Sequence, residues 1–175
     1  MMPDTLWKRL WQEAENRHAY VVLDGAQNNS LLDWLHGPDA PQHECLFASD
    51  LEADMAEVAP YLIKLEFGSP FSNDFIRDGW SANWGILLTS SVELPAVWRH
   101  LRQHTLVYGP ELEPMYFRFY DPRVLRMFLP TCEEAQLVDF FGEIDFIFSE
   151  GADQVVSDVW SVADGKLIRE STSEA

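Results

Sequence analysis

Positive charge is scarce in this chain. Twelve Lys and Arg stand against twenty-nine Asp and Glu in 175 residues, a net charge of −17 with histidine neutral. Phosphate contact needs a basic footprint, so this balance argues against a nucleic acid partner. It argues equally against an anionic membrane surface. Solvation of the surface or a basic protein partner are the two readings that remain. Cysteine is also rare. Cys45 and Cys132 sit in unrelated contexts and form neither a disulfide framework nor a zinc pattern. Their expected state is a free thiol in a reducing compartment. No apolar run approaches the roughly 18 residues of a membrane span, so no membrane insertion is expected. The first residues lack the basic and apolar regions of a signal peptide, and a cytoplasmic location is expected.

Glycine is sparse where chemistry would need it. Gly25 and Gly85 adjoin apolar strands, but neither carries the spacing of a dinucleotide loop or the Lys-Ser/Thr of a phosphate loop. There is no Gly-x-Ser-x-Gly elbow, and no local signature places a histidine beside either cysteine. His100 and His104 are four apart on an expected helix, so both can face one metal. Leu101 stands where a helical metalloprotease carries glutamate, which favours two ordinary surface histidines. Asp24, at a strand end beside Gly25, is where an α/β protein places a catalytic acid. It equally suits a turn whose side chain caps nearby backbone N–H groups, and that is the reading favoured. No catalytic set, cofactor loop or metal pattern emerges from these residues, so neither a cofactor nor a metal is expected.

Apolar residues make up 47% of the chain and aromatic residues 13%, ample for a core in one domain. Residues 3–16 read as an amphipathic helix with Leu6, Trp7, Leu10 and Trp11 on one stripe. Tyr20–Leu23, Glu44–Phe47, Pro60–Leu65 and Trp84–Thr89 read as short apolar strands. Helices are expected around Leu31–Leu35, Phe71–Trp80, Glu93–His104, Arg123–Phe128 and Glu133–Phe141. Ser49–Val58 is an acidic loop or helix face, and Asp145 is expected to face solvent. Thr105–Tyr108 and Met115–Tyr120 read as strands around Gly109-Pro110. Ile144–Phe148, Gln154–Trp160 and Lys166–Arg169 form an antiparallel meander with a hairpin at Asp164-Gly165. Ser171–Ala175 is expected to be a mobile polar tail. The fold class is α/β: a mixed β-sheet flanked by helices, with a small C-terminal helix plus antiparallel strand meander. The candidate boundary divides a core of residues 1–131 from an extension of residues 132–175 packed on it, unless residues 1–170 form one domain.

The most distinctive segment is Phe117-Arg118-Phe119-Tyr120-Asp121-Pro122-Arg123-Val124-Leu125. It lies in the one locally basic window, Arg99 to Arg126, where five arginines face three carboxylates for a balance of +2. On a strand, Phe117 and Phe119 face inward, while Tyr116, Arg118 and Tyr120 face outward. Asp121 before Pro122 favours a turn and caps the following helix. Asp121 can also pair with Arg118 or Arg123 and brace the turn. Tyr and Arg dominate interface hot spots, so the candidate protein-binding residues are Arg118, Tyr120, Asp121, Arg123, Tyr116 and Arg126.

At these residues the chain resembles the type VI secretion system effector adaptor family (the Tap/TEC adaptor domain). Tyr20–Ala26, Ala59–Leu65, Trp84-Gly85 with Leu87–Ser90, His100-Leu101-Arg102, Phe117–Leu125 and Phe140-Phe141-Gly142 follow the family's order over roughly residues 17–145. Glu143 departs from the pattern, where a proline is expected. The resemblance implies a non-enzymatic adaptor that binds a toxic effector and helps load it onto the VgrG spike from within the producing cell. Two other classes stay open. One is an immunity-like inhibitor whose acidic face blocks a basic toxin. The other is a small enzyme using Asp24 and the arginines on an anionic substrate.

Overall fold

The computed structural model describes residues 2–47, 52–153 and 156–173. Among the described residues, seven α-helices and nine strands follow one another in chain order. They are α1 (Asp4–Glu13), β1 (His18–Asp24), α2 (Leu31–Leu35), β2 (His43–Cys45), α3 (Ala53–Val58), β3 (Pro60–Leu65), α4 (Pro70–Asp74) and β4 (Gly85–Ser90). Then come α5 (Leu94–Gln103), β5 (Leu106–Tyr108), β6 (Pro114–Tyr116), α6 (Pro122–Phe128), α7 (Glu134–Phe141), β7 (Ile144–Glu150), β8 (Val156–Ala163) and β9 (Lys166–Ser173). Ser49–Leu51 of the acidic stretch, Gln154 and Val155 of the meander, and the last two residues of the tail lie outside the described residues. Ser171–Ser173, expected in a mobile tail, instead complete β9, where Ser171 Oγ donates to Asp158 at 2.5 Å.

The helix-flanked sheet with its closing helix and meander is the α/β class expected from the sequence. Strand direction differs from the expected mixed sheet. Seven strands run in the order β2-β3-β1-β4-β7-β8-β9, and every pairing among the described residues is antiparallel. Strands β3 and β4 do run the same way, joined through α4 as in a parallel unit. However, β1 lies between them and pairs antiparallel with both. Alternation of strand and helix therefore signals a crossover, but does not reveal the strand it passes over. Strands β7 to β9 extend the same sheet beyond β4.

The central strands β1, β3 and β4 are buried on both faces, which explains why they are continuous apolar runs rather than alternating ones. Val21 and Leu23 of β1 face a layer holding Leu6 and Leu10 of α1, Leu31 and Leu35 of α2, and Phe71. Tyr20 and Val22 face the opposite layer of Val97 and Leu101 from α5, Leu125 from α6 and Phe140 from α7. The helices present these residues at i, i+3 and i+4 spacing. Caps fix their starts: Pro95 occupies the first turn of α5, while Glu133 and Gln136 close a reciprocal capping box on α7.

Two strand-end glycines mark close backbone approach. A Cβ on Gly85 would lie 2.0 Å from the Val22 carbonyl oxygen, and one on Gly25 would lie 2.5 Å from that of Glu57. Both contacts are with backbone, which cannot swing aside as a side chain does. Gly85→Ala is therefore expected to destabilise the fold by more than about 3 kcal/mol, measured by urea unfolding. A loss below about 1 kcal/mol would show that β1 and β4 can separate at this end.

Candidate functional site

Asp24 ends β1 in the middle of the sheet and is 1% exposed. One carboxylate oxygen accepts from the Ala26 N–H at 3.1 Å, and the other accepts from the guanidinium of Arg118. The partners are 94 residues apart in sequence. Arg118 also approaches Asp121 at 3.9 Å. Asp121, itself buried, caps α6 by accepting the Arg123 N–H at 2.9 Å. It pairs with the Arg123 side chain in two-pronged fashion, at 2.9 Å to Nε and 2.7 Å to Nη2. Two carboxylates thus meet two guanidiniums in one connected cluster. Burial pushes Asp121 upward, but the Arg123 hydrogen bonds outweigh it and hold the carboxyl below the usual range. Burial likewise opposes the Arg118 charge, and Asp24 outweighs it, so the guanidinium is held above its ordinary value.

Arg126, one helical turn further along α6, donates to the Glu150 carbonyl oxygen at 2.8 Å. The buried Glu150 carboxylate accepts from the Asn83 N–H at 2.8 Å. Burial raises its pKa, against the opposing pull of the Asn83 and Ser81 N–H groups and Arg126. Ser81 and Asn83 have φ of +73° and +54°, a conformation held by these bonds. Asp24, Glu150 and the residues before Gly85 all lie at one end of the antiparallel sheet, so the arginine segment laces that end together.

The expected strand over Met115–Tyr120 ends at Tyr116. The Asp121 N–H turns back to the Arg118 carbonyl at 3.0 Å, which breaks the period-two alternation. Tyr120 consequently joins Phe119 in the core instead of flanking Arg118 on the surface. Desolvation raises its phenol pKa. Tyr116 stays exposed on the β5–β6 hairpin and stacks on Phe47, with ring centroids 4.3 Å apart. The expected face of one arginine between two tyrosines does not form. Arg118, Asp121 and Arg123 are brought together with the buried Tyr120 phenol beside Arg118, Arg126 lies nearby, and Tyr116 diverges.

Asp24 caps a turn as read from sequence, and it also meets Arg118, the juxtaposition that the enzyme alternative joined in one site. Asp24-Gly25 and Arg118 each stand in a distinctive block, the one local signal available. Asp145 pairs with Arg17 at 2.9 Å and is only partly exposed. The rings of His100 and His104 lie 4.9 Å apart, and His100 Nε2 sits 2.8 Å from the Phe140 carbonyl oxygen. Burial, with His100 as its neighbour, lowers the pKa of His104. A separate cleft of about 320 Å³ is lined by Leu23, Trp34, Phe75, Arg77 and Trp84, and none of the brace residues opens into it.

Fold and cluster together define a helix-flanked antiparallel α/β domain braced internally by arginine and aspartate. The chain belongs to the family described as Domain of unknown function (DUF4123), whose model matches residues 19–139. No curated protein and no solved structure matches the chain. Among the described residues, no helix is long and apolar enough to cross a membrane.

Removing Arg118 leaves the Asp24 carboxylate buried without its cation. Breaking a fully buried pair costs about 3–5 kcal/mol, and solvent reaching the part-exposed guanidinium reduces this. Arg118→Ala is expected to lose about 2 kcal/mol, and the double variant Arg118→Ala/Asp24→Asn should recover part of that loss in urea unfolding. The lowered Asp121 pKa has a second consequence. Its stabilising contribution is complete above the unfolded carboxyl value near pH 4 and is lost as pH falls through the lower folded value. Asp121→Asn should therefore narrow its stability gap to the native protein below about pH 4. A gap independent of pH would show that the charge of Asp121 is not what holds the turn.

Proposed function

We propose that this protein is a non-enzymatic adaptor of type VI secretion, one that binds a toxic effector in the cytoplasm and assists its loading onto the VgrG spike. The observation that carries the reading is coincidence of position. The ordered blocks resembling the adaptors, from Tyr20–Ala26 to Phe117–Leu125, fall inside the residues that match the DUF4123 family. The internal brace is compatible with that role. Asp24 has both carboxylate oxygens engaged by Ala26 and Arg118, an arrangement suited to holding structure rather than exchanging protons with a substrate. The net charge of −17 favours a basic protein partner and speeds encounter with one.

Co-expression with any effector encoded in a neighbouring gene, followed by pull-down, tests the reading. The expected result is a stable complex in which the effector keeps its toxic activity after release, together with capture of the effector-bearing VgrG assembly. Abolition of toxin activity in a stoichiometric complex would identify an inhibitor instead. Absence of any complex with either the effector or the C-terminal segment of VgrG would overturn the adaptor reading.

A further inference from the structure

The β5–β6 hairpin is the least buried apolar element of the molecule. Six of the eleven exposed large hydrophobic side chains among the described residues lie on the arm spanning residues 106–116: Leu106, Val107, Tyr108, Leu112, Met115 and Tyr116. Both strands of the arm are exposed along their length, and within the sheet pairing each has only the other as partner. A two-stranded hairpin alone is marginal in water, and scattered exposed hydrophobics are ordinary, but this concentration on eleven residues is not.

The tip carries a second anomaly. Leu112 is 79% exposed and adopts φ +62°, a left-handed conformation that glycine or asparagine adopts at lower cost. Its N–H closes the turn to the Gly109 carbonyl at 2.9 Å, so the conformation suits the turn. The leucine side chain itself has no packing to account for it. A strained, solvated leucine is the kind of outlier that points outward to function.

At its root the arm meets a groove of about 240 Å³ walled by Leu106, Val107, Phe117, Phe128 and Phe140, with Asp139 at its margin. Asp139 also borders a shallower depression on α7 that contains exposed Val138 beside Glu133 and Glu134. Arm, groove and α7 thus form one apolar strip. Its carboxylates are Glu111, Glu113, Glu133, Glu134 and Asp139, and neither the arm nor the lining of the two depressions includes a lysine or arginine.

From this juxtaposition we infer that the arm and its groove form the docking surface for an apolar segment bearing lysine or arginine, supplied by the effector. The naming of the effector rests on the adaptor reading, whereas the chemistry of the surface does not. Apolar side chains of the partner enter the groove beside Phe117 and Phe140 and cover Leu112 and Tyr108. Its cations meet the acidic margin.

The test uses the full chain and a defined probe, a fluorescent twelve-residue peptide of alternating leucine and lysine, with a leucine–glutamate peptide as its counterpart. Native protein is expected to bind the lysine peptide and discriminate against the glutamate one. Leu112→Gly and Tyr108→Ser together should weaken binding by about tenfold or more, through loss of these two contacts. Phe67→Ser, at an exposed aromatic outside the strip, should stay within about twofold. The melting temperature of Leu112→Gly should be unchanged or higher, which separates lost contact from lost fold. Equal affinity of the arm variant, or equal binding of the two peptides, would overturn the inference. So would a native dimer in sedimentation that the arm variant dissolves, since the arm would then be a self-interface. Pull-down of the co-expressed effector separates the two claims. Retention of the effector by the arm variant refutes the docking surface and leaves the adaptor role. Failure of native protein to capture both it and the VgrG C-terminal segment refutes the adaptor role, while the peptide result still decides the surface.

Discussion

A carboxylate held out of water must have its charge met, and Asp24 meets this requirement through one residue 94 positions away. The pairing need not add net stability compared with two apolar residues in the same space. What it does is make every alternative placement of the Arg118 segment expensive, because each would leave Asp24 alone in the interior. The rest of the arginine segment follows from that anchor. Asp121 meets Arg123 and starts α6, and α6 carries Arg126 to the end of β7. The carboxylate of Glu150 then fastens the turn that leads into β4. A single end of the sheet is thereby joined by polar contacts, while its two faces are held by apolar ones.

The parts of this arrangement that were legible in sequence are those governed by local rules. The apolar run Tyr20–Leu23 announces a strand buried on both faces, Leu94, Val97 and Leu101 announce an inward helix face, and Asp121-Pro122 announces a cap. Asp164-Gly165 announces the hairpin between β8 and β9. Illegible were the features set by distant neighbours. Nothing near β3 or β4 states that β1 will lie between them, so the sheet direction could not be read from the helix alternation. Nothing near Tyr120 states that a turn from Arg118 to Asp121 will rotate it inward. Period-two reasoning holds only while the backbone stays extended, and here it stops four residues earlier than the aromatic pattern suggests.

The charge pattern shows the same limit more sharply. Between Arg99 and Arg126 the sequence carries a net +2, but in space the excess is dispersed. Arg118 and Arg123 are matched by Asp24 and Asp121. Arg126 faces a carbonyl, and Arg102 lies over the ring of Trp98 at 4.9 Å. A run of like charges in sequence becomes a basic surface patch only where its charges stay unmatched, and Arg118 and Arg123 are matched by buried carboxylates. The arm that interrupts the run, from Leu106 to Tyr116, brings a set of apolar side chains to solvent.

Brace and arm are mechanically linked. The arm closes where the Phe117 N–H bonds to the Thr105 carbonyl at 2.9 Å. Phe117 then packs against Phe128 with ring centroids 4.8 Å apart, and the next residue is Arg118. The root of the arm is therefore fixed to the core by an aromatic contact and an ion pair on consecutive residues, while its tip remains free. Fixing the root lowers the ordering cost that a flexible loop would incur on meeting a partner. In this way the polar cluster at the sheet end holds the base of the arm without touching its tip. It keeps an otherwise marginal hairpin extended from the body, with its apolar side chains uncovered.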